Sequence, residues 1–93
     1  MDLHDYHGPH AAPREPWAES VEWERSVPRA ERLRVREHTC WCQRPHFELC
    51  TAGGLWFVRR MLAGSPVDVV ETSWMRECAA KDLWHRILSG QAR

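Results

Sequence analysis

The chain has no Asn and a single Lys, Lys81, against twelve Arg. Such usage fits a GC-rich, bacterial coding sequence, so the Arg count alone is no sign of phosphate or carboxylate binding. Only the position of each planar guanidinium can argue for that. No stretch approaches the roughly 20 apolar residues that cross a bilayer, which excludes a membrane helix. The start, Met1-Asp2-Leu3-His4-Asp5, lacks the basic flank and apolar run of a secretory signal, so a cytoplasmic location is expected. Catalytic signatures are as scarce. There is no Gly-rich phosphate loop, no serine-centred motif and no carboxylate pair at working spacing. Gly53-Gly54 reads as a hairpin turn, not a cradle. A chain of 93 residues with zero formal net charge is one small domain, and it is expected not to be an enzyme.

The zero total hides a division. Residues 1–28 carry six acidic side chains and two basic ones, a net −4, with four prolines and His4, His7 and His10. Residues 29–93 carry eleven basic and seven acidic, a net +4. The chain therefore reads as an acidic arm (1–28) attached to a basic domain (29–93). Little in residues 1–16 can repay ordering entropy, and a flexible arm is expected there. Residues 17–27 place Trp17, Val21, Trp23 and Val27 among acids. Pro16 suits a first helical position, and a short Trp-bearing helix is expected to dock on the domain or on a partner. Gly8 and Pro9 argue against a helix at the three histidines, which read as solvated.

Residues 32–71 alternate with period two and break at turn residues. Strands are expected at 32–42, 46–51, 55–62 and 67–71. Register follows from gathering apolar side chains on one face. Leu33, Val35, Trp41, Phe47, Leu49, Trp56, Val58, Leu62, Val67 and Val69 then share the core face. That pairing sets Cys42 opposite His46, Cys40 opposite Glu48, His38 opposite Cys50, and Cys50 opposite Leu55. Glu37 and Arg60 fall on the core face as well, where they could pair. A helix of about 17 residues is expected next, capped by Thr72 or Ser73 and ended by Gly90. Its stripe of Ala79, Ala80, Leu83, Trp84, Ile87 and Leu88 would cover the sheet. The fold class is α+β: a small antiparallel meander of about four strands with one C-terminal helix on one face.

The opposite face gathers thiols, imidazoles and guanidiniums. Zinc takes four Cys or His ligands in a closed tetrahedron, and Cys40, Cys42, His46 and Cys50 form a candidate set, with His38 as a substitute. The spacing is Cys-x-Cys without a second matching pair. Cysteine as a small apolar residue is the competing reading. Arg34, Arg36, Arg59 and the rim residue Arg44 lie beside Phe57, Leu55 and Met61. Exposed apolar side chains among arginines suggest a contact surface. Two functions follow. One is a small regulatory protein that binds a protein partner, or itself, through that face, with Trp17 and Trp23 of the arm as a second contact. The other is a zinc-stabilised, transcription-related nucleic-acid-binding domain whose acidic arm covers its basic face. A metal or catalytic set at Cys78, Asp82 and His85 has only its spacing in its favour.

Overall fold

The computed structural model describes residues 8–28, 32–62 and 68–93. In chain order the elements are β1 (Glu24–Arg25), β2 (Arg34–His38), β3 (His46–Ala52), β4 (Leu55–Leu62), β5 (Asp68–Glu71) and α1 (Glu77–Leu88). The strands form one antiparallel sheet in the order β1-β5-β4-β3-β2. The meander and its covering helix are as expected. The fifth strand is supplied by the arm.

The tightest turn sets the central register. Gly53 and Gly54 both have positive φ, 59° and 81°, as a two-residue hairpin loop demands. Ala52 therefore faces Leu55, and Cys50 faces Phe57 instead of Leu55. A slip of two residues keeps parity. Phe47, Leu49, Trp56 and Val58 thus share the expected face, and Ala80, Leu83, Trp84 and Ile87 of α1 pack on it. Each large side chain buried there contributes roughly 1.5–3 kcal/mol.

The β2–β3 pair departs from the expected register in two ways. His38 faces Glu48 and Glu37 faces Leu49, but Val35 faces Cys50 and Arg34 faces Thr51. Arg36 is an extra residue between them, a β-bulge, and a bulge reverses parity on its far side. Val35 and Arg34 consequently exchange faces, and Val35 is exposed instead of lying in the core. β2 also stops at His38. Residues 39–45 form a turn, so Trp41 leaves the core face and is exposed. Arg60 does not pair with Glu37. Its guanidinium lies 4.9 Å from the Trp23 ring centre, and burial pushes its pKa down.

The helix is shorter than expected because the hydroxyl meant to cap it is used elsewhere. Thr72 Oγ1 accepts the Val58 amide at 3.0 Å. Met75 exchanges both main-chain hydrogen bonds with Trp56. The chain therefore stays extended through Arg76 before turning into α1, which has no side-chain cap. At the other end Gly90 follows the C-cap Ser89 with φ 82°, as expected. Among the described residues no helix is long and apolar enough to cross a membrane.

The arm lies along the domain. The amides of Ala12, Glu15, Glu19 and Val21 bond to the carbonyls of Leu88, Gly90, Gln91 and Arg93 in turn. Residues 17–27 are not helical. A turn at Pro16–Trp17 leads into an extended run ending in β1, because bonding to the C-terminal tail satisfies main-chain groups that a helix would otherwise satisfy internally. Trp23 packs on Phe47, ring centres 6.2 Å apart, while Trp17 is exposed. His4, His7 and Val67 lie outside the described residues.

Candidate metal centre

The turn after β2 is built from its own polar groups. Thr39 closes the β2–β3 ladder twice: its amide donates to the Phe47 carbonyl at 2.9 Å, and its Oγ1 accepts the Phe47 amide at 2.9 Å. The Gln43 amide reaches back to the Cys40 carbonyl, 3.2 Å. Arg44 Nη1 donates to the carbonyls of Trp41 and Gln43. These bonds hold Cys40 and Cys42 on the inside of one bend, with Cys40 buried and Cys42 exposed. Cys40 Sγ lies 3.1 Å from Cys42 Sγ.

The arm brings a third donor. The Cys40 amide donates to the Pro9 carbonyl at 2.8 Å. The Gln43 side chain bonds both the amide and the carbonyl of Ala11, each at 2.8 Å. His10 is thus fixed on both sides, and its Nε2 sits 3.1 Å from Cys42 Sγ. The ligand atoms of His10, Cys40 and Cys42 all lie within 4.8 Å of one another, and this group could hold a metal ion. Zinc–sulfur bonds of about 2.3 Å at a tetrahedral angle set two thiolates roughly 3.8 Å apart. A small rotation of either cysteine opens the pair to that distance. The Cys42 thiol is held above its ordinary pKa, first by its hydrogen bond with Cys40 and then by desolvation. That is the opposite of an activated nucleophile, whose pKa is depressed.

The other candidate ligands have different surroundings. His46 is fully buried, stacked under Trp41 with ring centres 3.6 Å apart. Desolvation pushes its pKa down, against opposing pulls from the Cys40 carbonyl and Glu48. Cys50 is also fully buried and faces Phe57 across the sheet. His38 Nδ1 bonds the Thr39 carbonyl. So Cys40 and Cys42 come together as the spacing suggests, while the imidazole beside them is His10, not His46 or His38. No sequence signal linked His10 to that turn. Gln43, whose amide joins the two segments, reads in the sequence as an ordinary turn residue.

The arginine face divides as well. Phe57 is fully buried beneath Trp74, an edge-on pair 5.2 Å apart, so it is not the exposed contact residue expected. Arg59 donates to Glu71 at 2.8 Å and to Glu48 at 3.2 Å, and its charge is spent inside the fold. Arg34, Arg36 and Arg44 remain exposed at the β2 side. On α1, Cys78 is exposed and Asp82 is bound to Arg86. Compared with known protein families, curated proteins and solved structures, the chain matches none.

Proposed function

We propose that the chain is a small zinc-clasped binding domain, not an enzyme. Zinc held by His10, Cys40 and Cys42 would lock the arm to the turn after β2, and the basic strand beside that clasp would contact a protein partner. The convergence of His10, Cys40 and Cys42 from segments about thirty residues apart in the chain carries this reading. Two thiolates and an imidazole suit zinc by softness, with the fourth position left to water or a further donor. The raised Cys42 pKa argues against a nucleophilic role. The nucleic-acid reading has less support, because pairing with Glu48 and Glu71 removes Arg59 from the basic face.

Elemental analysis of the purified full chain tests the clasp. One zinc per chain is expected, with intense thiolate-to-metal absorption when cobalt replaces it. Cys42→Ser and His10→Ala should each weaken retention at least tenfold, whereas Cys50→Ala should keep one zinc per folded chain. Metal-free protein with freely titrating Cys40 and Cys42 would overturn the assignment.

A further inference from the structure

β2 is the outermost strand of the described sheet on its side, and all of Arg34–His38 is exposed. Charge on this edge is left unbalanced. Arg59 and Arg86 each meet two carboxylates, but among the described residues Arg34 and Arg36 meet none. Arg44, in the next turn, donates from Nη1 to main-chain carbonyls.

Just past the end of β2 the Pro9 carbonyl takes the Cys40 amide at 2.8 Å. A Cβ on Gly8 would lie 3.6 Å from that same nitrogen. The arm backbone thus lies against the chain just past the end of this edge. A groove of about 260 Å³ opens between it and the strand, lined by Gly8, Pro9, Arg36, Glu37 and His38. The edge over 34–37, which no other described strand covers, is about 13 Å long, at about 3.3 Å per residue.

We propose that this edge takes an extended acidic segment of a partner protein as an added strand. The inference rests on the interaction reading above. Main-chain hydrogen bonds supply affinity in such pairing, and side chains at alternate positions supply specificity. Here Arg34 and Arg36 select carboxylates, and the exposed Val35 offers an apolar seat on the face opposite Arg34. A second copy fits less well. β2 carries one carboxylate, Glu37, so self-pairing leaves an arginine of each strand unanswered. Nucleic acid would answer the arginines but not the main-chain amides and carbonyls on the outer side of β2, which no described strand covers.

The test is fluorescence anisotropy of the full, zinc-loaded chain with a labelled octapeptide of alternating glutamate and valine. Lysine in place of glutamate should weaken binding at least tenfold, as should the double variant Arg34→Glu, Arg36→Glu. Folding of that variant is checked by circular dichroism. N-methylating one alternate set of peptide amides should abolish binding while the other set leaves it within about threefold. Equal response to both sets, or indifference to the arginine reversal, overturns the strand-addition mode. A chain that sediments as a dimer and refuses the peptide assigns the edge to self-pairing. Binding to single-stranded DNA without peptide binding assigns it to nucleic acid. A loaded chain that ignores the peptide sinks the edge and spares the clasp. A metal-free chain that still binds the peptide does the reverse.

Discussion

Glu71 is the most deeply committed charge in the described fold. Its side chain is 1% exposed and answers Arg59 at 2.8 Å. Burial acts to lower the Arg59 pKa, but the hydrogen bond to Glu71 and the neighbouring negative groups outweigh it, and the net direction is upward. Removing one partner of a buried pair strands the other, at a cost of about 3 kcal/mol. Glu71→Ala should lower stability by about 2–3 kcal/mol in urea titration, the lower end reflecting Glu48 as a second partner for Arg59. Glu77→Ala, which breaks an exposed helix pair with Lys81, should cost less than about 0.5 kcal/mol. A comparable loss in both would show that Glu71 is not the anchor of this face. Parity put Glu48 and Arg59 together on that side; Glu71 escaped notice because the strand bearing it had been read only for its valines.

Glycines divide by what surrounds them. Gly53 and Gly54 have positive φ but open space around a notional Cβ. Alanine at either should cost about 1 kcal/mol, for backbone conformation alone. Gly90 also has positive φ, and a Cβ there would overlap the Pro13 carbonyl oxygen. Gly90→Ala should cost about 2–4 kcal/mol, overpacking added to conformation, because helix end and arm cannot keep their spacing. Thermal melts of the three variants check the order; equal shifts would refute it. The central strands and the end of α1 were legible because alternation and a terminal glycine are local signals. The bulge at Arg36 was not, since an inserted residue leaves no mark in composition yet inverts every assignment beyond it. The start of α1 was misplaced for a related reason: Thr72 has the chemistry of a cap, and only the tertiary fold shows its hydroxyl bound to Val58.

At the level of the whole chain, the arm belongs to the core. Ala11 and Trp23 pack into it, and Glu19 pairs with Arg86 across the surface. A chain lacking residues 1–28 should therefore lose cooperative unfolding or melt at least 10 °C lower, since about 1 kcal/mol shifts a domain of this size by roughly 4–8 °C. Calorimetry of the truncated and full chains decides it; equal melting temperatures would make the arm an appendage. Reading the arm as acidic and proline-rich was sound, but composition does not report that its main chain would find the C-terminal tail. The same omission kept His10 out of the candidate ligands.

The pairing of residues 12–21 with residues 88–93 runs in parallel. Tension applied to the two ends of the molecule would therefore load those main-chain bonds together, in shear, instead of peeling them apart one by one. Stretched singly between its termini, the molecule should resist up to one sharp rupture and not yield at a low, gradual force.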